Sequence, residues 1–190
     1  MGRLVDGLLD LGRIEAGVGL SLETIQPAAI LQEVVQTYRP QAANKQVALT
    51  LDVADTLIPI EADPTLLRQA VANLVDNAIK YTPPQGRVRI SAGQADGVQQ
   101  FRVEDSGVGI APADQPRLFE KFYRARAAEA TRERGSGLGL AIVKSIAEQH
   151  GGRVTVESRL GSGSVFTLEV PIRQIDGEAR PSPASAPEGT

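Results

Sequence analysis

Cysteine and tryptophan are absent from the 190-residue chain, and histidine occurs once, at His150. Without thiols there are no disulfides and no thiolate metal sites, and a single imidazole cannot assemble a zinc cluster. There is no excess of positive charge either. Lysine and arginine number 20 against 23 acidic residues, and the net charge of -3 gives no general attraction to nucleic acid or to an anionic membrane. Any anion site must therefore be local. No apolar run approaches the roughly 20 residues needed to span a bilayer, and the first residues lack the pattern of a secretory signal. The expectation is a cytoplasmic chain without direct membrane contact, or a cytoplasmic piece of a larger, membrane-anchored protein. What is present is a hydrophobic content of 42%, enough for one compact domain with a single core.

The stretch from Asp63 to Thr82 organises the rest. Asp63 can cap the first free N–H groups of a helix, and Pro64 fits the first helical position, where its missing donor is not needed. On a helical wheel Leu67, Val71, Leu74, Val75 and Ala78 share the buried face, while Gln69, Asn73, Asn77 and Lys80 fall opposite. Two mid-helix asparagines each cost about 0.5 kcal/mol against alanine, an unusual choice for a stripe that only has to be wet. Asn73 and Asn77 are four apart and point the same way, with Lys80 one turn on and Tyr81 beside it. Amide oxygens suit a hard cation such as magnesium, an ammonium suits a phosphate, and a phenol ring offers a flat face to a base.

Elsewhere, Met1, Leu4, Leu8 and Leu11 have the spacing of a helix–helix seam, read as the end of a longer helix. A brief extended run at Leu20 to Glu23 precedes a helix from Pro27, with Ile30, Leu31, Val34, Val35 and Tyr38 inward, ending near or a few residues beyond Pro40. Val47 to Val53 and Ile58 to Ile60 read as a hairpin-like sheet edge, and Arg87 to Ala92 with Val98 to Glu104 as neighbouring antiparallel strands. Pro112 to Phe122 reads as a short helical patch, Arg124 to Arg134 as a mobile segment, and Gly137 to Gln149 as a helix stopped at Gly151. Arg153 to Ser158 and Ser164 to Ile172 close the domain, and the Pro-, Ser- and Gly-rich composition from about Asp176 reads as a disordered tail.

Three glycine clusters follow the central helix, at Asp105-Ser106-Gly107-Val108-Gly109-Ile110, Gly135-Ser136-Gly137-Leu138-Gly139-Leu140 and Gly161-Ser162-Gly163-Ser164. In the first, a carboxylate ends a strand where glycines let backbone approach something flat. In the second, glycines open a helix whose free N–H groups and positive dipole end suit a polyphosphate. The second does not follow a strand, which argues against a dinucleotide-binding βαβ unit, and no GxxxxGK[ST] is present. Taken in order, LVDNAIKYT, DSGVGI, LFEKFYR, GSGLGLAIV and GSGSVFTLEVP resemble the N box, first glycine box, F box, second glycine box and closing element of sensor histidine kinase catalytic domains. These belong to the superfamily that includes DNA gyrase, Hsp90 and MutL. The match runs from about Leu20 to Ile172, and LVDGLLDLGRIEAG is similar to the end of the helical hairpin preceding such domains.

The resemblance implies an α/β (α+β) two-layer sandwich of about three helices on a mixed, mostly antiparallel five-stranded sheet, the Bergerat-type ATP-binding fold. It implies residues 1–19 as the end of a dimerisation hairpin, 20–175 as the catalytic domain and 176–190 as the tail. By position, Asn77 is implied as the magnesium ligand, Asn73 as its phosphate-side neighbour, Lys80 as a phosphate contact and Tyr81 as packing near the base. Asp105 is implied as the adenine reader, with Gly107, Gly109 and Ile110 shaping the base pocket and Ser164 in the water network around it. Gly137, Leu138 and Gly139 would present backbone to the phosphates, and Arg124 would reach the terminal one.

Where gyrase-like hydrolytic members carry a glutamate, this chain has Asn73, which cannot act as a general base, so transfer to a protein is favoured over hydrolysis. The resemblance implies ATP and Mg2+ as cofactors, with a histidine-bearing dimerisation domain, a response regulator receiver domain and a homodimeric parent as partners. The family's acceptor histidine box is absent, and His150, in a His-Gly-Gly helix end, is expected to be structural. Phe119, Phe122 and Tyr123 are expected to pack rather than stack on a base, and Glu104 and Asp105 to lie on opposite strand faces. A stand-alone ATPase or serine kinase of the same superfamily, or a non-catalytic nucleotide-binding or dimerisation module, remain the alternatives.

Overall fold

The computed structural model describes residues 8, 9, 11, 12, 19–54, 57–126 and 135–172. In chain order the elements are β1 (Glu23–Ile25), α1 (Pro27–Asn44), β2 (Ala48–Val53), β3 (Ile60–Ala62), α2 (Pro64–Tyr81), β4 (Arg87–Ala95) and β5 (Val98–Asp105). A 3-10 turn (Gln115–Arg117), α3 (Gly139–Gln149), β6 (Arg153–Arg159) and β7 (Gly163–Pro171) complete it. The main sheet has five strands in the order β2-β4-β5-β7-β6, with only the β2–β4 pair parallel. Three helices cover one face, as expected, with α2 in the middle packed against both α1 and α3.

Strand periodicity explains the two layers. Val88, Ile90, Phe101, Val103, Phe166 and Leu168 face the helices and are buried, while Arg87, Arg89 and Arg102 on the same strands are exposed. Helix α2 buries Leu67, Ala70, Val71, Leu74, Val75, Ala78 and Ile79, the face expected from its period. Asp63 caps it by accepting from the Thr65 and Leu66 N–H groups, both at 3.0 Å, and its other oxygen accepts from Ser21 N–H at 3.1 Å. Such a cap is worth about 1 kcal/mol.

Two expectations need correction. The hairpin-like edge does not form: β2 runs parallel to β4, with α2 lying between them in the chain, while β3 pairs antiparallel with β1. Strand β3 thus lies beside β1 and not beside β2. The patch at 112–122 is not a helix beyond the 3-10 turn, because its bonds are of i to i+3 type and prolines occupy positions 112 and 116. Helix α1 ends at Asn44, a few residues beyond Pro40 as expected; Pro40 and Gln36 are both exposed, so the carbonyl that loses its partner faces water. Leu11 is buried in the domain core and Leu8 is exposed. The rest of the N-terminal seam, most of the segment expected to be mobile (127–134) and the tail beyond 172 lie outside the described residues.

Candidate functional site

A cleft of about 430 Å³ opens between α2, the start of α3 and the loops after β5. This falls within the usual range for small-molecule sites. From α2 it is lined by Asn73, Asn77, Lys80 and Tyr81; from the end of β5 and the following loop by Asp105, Gly109 and Ile110. Arg124, Gly137, Gly139 and Ser164 complete the residues expected from the sequence. Gly107 and Leu138 stand apart from this lining: Leu138 is 1% exposed and its side chain belongs to the core, while Gly107 acts through its backbone.

At one end of the cleft the first glycine loop is stitched to the end of α2. Val108 N–H donates to Tyr81 C=O at 3.2 Å, and a Cβ on Gly107 would stand 2.5 Å from the same oxygen, which explains the glycine. Asp105 Oδ1 accepts from Gly107 N–H at 2.8 Å, and the residue is 8% exposed. Burial pushes this carboxyl up to about 6, outweighing the hydrogen bonds from the Gly107 and Ser164 backbone. Glu104, on the opposite face of the strand as expected, adds a smaller upward push.

Ser158, which sequence reasoning missed, joins three segments around this end. Its Oγ accepts from Ile110 N–H at 2.9 Å, donates to Gly163 C=O at 2.8 Å and lies 2.9 Å from Ser164 Oγ. Because a hydroxyl has one proton, Ser164 must be the donor in that last bond, which leaves its lone pairs as acceptors beside Asp105. A serine within a strand carries no pattern that would have flagged it.

At the other end, α3 begins at Gly139 with no side chain capping its first N–H groups, and Gly139 and Leu140 line the cleft there. A Cβ on Gly139 would lie 3.8 Å from Asn73 Cγ and Oδ1 and 3.9 Å from Asn77 Nδ2. The two amides thus face the uncapped helix end across a gap that a side chain would fill. Among the described residues no group of three or more His, Cys, Asp or Glu side chains could hold a metal. A cation here would have to be shared between amide oxygens and a ligand's own oxygens, the arrangement that suits magnesium on a polyphosphate.

Asp76, Gln41 and Tyr38 of the cleft wall were not anticipated as site residues. Asp76 forms an ion pair with Lys80 and accepts from Gln41 Nε2 at 3.1 Å, bringing α1 into the wall together with Tyr38. The signal available was the i, i+4 acid–lysine spacing. Lys45 Nζ donates to Lys80 C=O and so tethers the end of α1 to the last turn of α2. His150 is 2% exposed and does the structural work expected of it. Its Nε2 accepts from Asp63 N–H at 3.0 Å, which puts the ring proton on Nδ1, donating to Ile146 C=O at 2.8 Å.

The chain belongs to the family of histidine kinase-, DNA gyrase B- and HSP90-like ATPases, whose profile matches residues 62–174. Within that family it is similar to the sensor-like histidine kinase SenX3 of Mycobacterium tuberculosis, at 38% identity over 191 residues, covering 99% of this chain and 46% of that protein. The chain thus spans less than half the length of this curated relative. It also resembles full-length ShkA, solved in complex with AMPPNP, with a TM-score of 0.81 and 35% identity over 90% of this chain and 35% of that one. The mycobacterial sensor histidine kinase MprB matches with a TM-score of 0.70 and 30% identity, over 80% of this chain and 99% of that one. The chain is therefore a catalytic domain of the histidine kinase type. No helix among the described residues is long and apolar enough to cross a membrane.

Proposed function

We propose that residues 20–175 bind Mg-ATP and transfer its γ-phosphoryl group to a histidine on a dimerisation domain, from which a response regulator receiver domain takes it. The parent protein would work as a homodimer. The observation that carries this reading is the meeting, in one cleft, of Asn73, Asn77 and Lys80 with the uncapped start of α3. The buried Asp105 marks the base end, where it accepts a hydrogen bond from the exocyclic amine of adenine. Gly109 and Ile110 shape the walls around the ring.

At the phosphate end, the free N–H groups of Gly139 and Leu140 and the Lys80 ammonium meet the phosphate oxygens, for which Lys80 leaves Asp76. Asn77, with Asn73 beside it, would hold magnesium, which supplies neutralisation of charge on the transferring group. Arg124 contacts the terminal phosphate with its planar fork. Asn73 cannot take a proton from water, which favours transfer over hydrolysis, with the acceptor supplying the nucleophile. A lone pair on the imidazole nitrogen attacks phosphorus, the bond from phosphorus to the ADP oxygen breaks, and the other ring proton passes to a base on the acceptor domain. Catalysis by this chain is then positioning and electrostatics.

Mixing the chain with γ-labelled ATP, magnesium and a separately prepared histidine-bearing hairpin domain tests this directly. Acid-labile label should accumulate on the hairpin and not on this chain. Release of inorganic phosphate at a comparable rate without the hairpin would instead mark an ATPase, and label stable to acid would mark a serine kinase.

A further inference from the structure

Outside the cleft lining, one buried carboxylate grips the segment that carries Arg124. Asp114 is 3% exposed, and each of its oxygens has a separate duty. Oδ1 accepts from the Tyr123 hydroxyl at 3.0 Å, and Oδ2 accepts from Arg126 N–H at 3.1 Å. Arg124 lies between these two attachment points in the chain and lines the cleft. The same stretch is held in three more ways. Ala125 is 6% exposed and packed into the core, and the Arg117 guanidinium covers the Tyr123 ring at 4.4 Å. Phe122 N–H donates to Gly137 C=O at 3.0 Å, with Phe122 in the left-handed region at a φ of 64°. A bulky residue keeps such a backbone only where its surroundings enforce it.

We propose that Asp114 is a positioning residue for phosphoryl transfer, fixing Arg124 against the terminal phosphate by holding the residues on either side of it. The proposal rests on the reading of the cleft as an ATP site. The two donors are a phenol and a peptide N–H, and a carboxylate accepts from both with charge-assisted bonds. An asparagine could accept from the peptide N–H only by turning its N–H2 toward the phenol oxygen, which reverses that bond and leaves both contacts neutral. A guanidinium on a long side chain loses its rotamer freedom at a cost unless its backbone is already set. Anchoring residues 123 and 126 sets it before nucleotide arrives, which is preorganisation in the sense that matters for transition-state contacts.

The test compares Asp114→Asn and Tyr123→Phe with Arg124→Ala and with each double variant, reading calorimetric affinities for AMPPNP and for ADP in the presence of magnesium. These two nucleotides differ in the terminal phosphate that Arg124 contacts. Asp114→Asn should lower the AMPPNP-over-ADP preference about tenfold, the effect of misaligning one charge-assisted hydrogen bond, with ADP affinity changed less than about twofold. Tyr123→Phe removes a single attachment without changing charge, and should give a smaller loss of the same kind. In the Arg124→Ala background neither substitution should have any further effect on the preference. An equal loss for both nucleotides, an unchanged preference in Asp114→Asn, additivity with Arg124→Ala, or a starting chain with no preference would each overturn the proposal. Should the preference behave as expected while no hairpin domain accepts label, the histidine kinase reading falls and the role of Asp114 stands.

Discussion

Replacing Asp105 with asparagine should make the domain more stable and a worse binder of ATP, and both effects should depend on pH. The carboxyl is raised from its ordinary value of 3.8 to about 6 by burial. Below about pH 4 it is protonated in both folded and unfolded chains and contributes nothing. Between about 4 and 6 the unfolded chain has released a proton that the folded chain still holds, so stability falls as pH rises through this window. The loss amounts to at most about 3 kcal/mol and is complete above it. An asparagine keeps an oxygen for Gly107 N–H and carries no charge to desolvate. Scanning calorimetry should therefore find Tm several degrees higher for the variant at pH 8 and nearly equal near pH 4.

Binding should move the other way. If the ionised carboxylate is the form that receives the adenine amine, the wild-type affinity for ATP should fall about tenfold between pH 7 and pH 5, as the ionised fraction drops from about nine-tenths to about one-tenth. The terminal phosphate of ATP titrates in the same range, so the informative quantity is the ratio of wild-type to Asp105→Asn affinity. A ratio that stays constant from pH 7 to pH 5, or an asparagine variant less stable than wild type at pH 8, would refute the reasoning.

His150→Ala should cost about 3 kcal/mol in denaturant unfolding, because it strands Asp63 N–H, removes a bond to Ile146 C=O and leaves a cavity between the ends of α2 and α3; phosphate label found on His150 would contradict the structural role. Gly109→Ala should destabilise by about 2 kcal/mol or more and weaken nucleotide binding with it. Its Cβ would meet Arg159 C=O at 2.0 Å, from a φ of 66° that alanine disfavours. Crystals of that variant with an unshifted 107–110 loop would show the contact to be harmless.

What was legible in the sequence was local chemistry. Asp63 and Pro64 announce the start of α2, its 3.6-residue period separates core from cleft, and the second glycine cluster falls at the start of α3. What was hidden depends on distant partners. Strands β1 and β3 have three residues each, too few for alternation to show, and meet across 37 positions, as the Glu23–Ala62 and Ile25–Ile60 pairings imply on either side of Thr24 and Glu61. The parallel β2–β4 pair and the contribution of Gln41 and Tyr38 to the cleft wall arise only when α1 and α2 pack together. Ser158 and Asp114 were missed for a related reason: each matters through backbone and hydroxyl groups that the fold brings to it, and no residue type or spacing encodes that.

The central claim, that two amides on α2 and the bare start of α3 clasp a cation and a triphosphate, is tested most directly by calorimetric titration of ATP into wild type and Asn77→Ala, with magnesium and with a chelator. The wild-type chain should bind more tightly with magnesium, and the alanine variant should lose that gain while keeping the wild-type melting curve. A magnesium-dependent affinity that survives the substitution unchanged would contradict it.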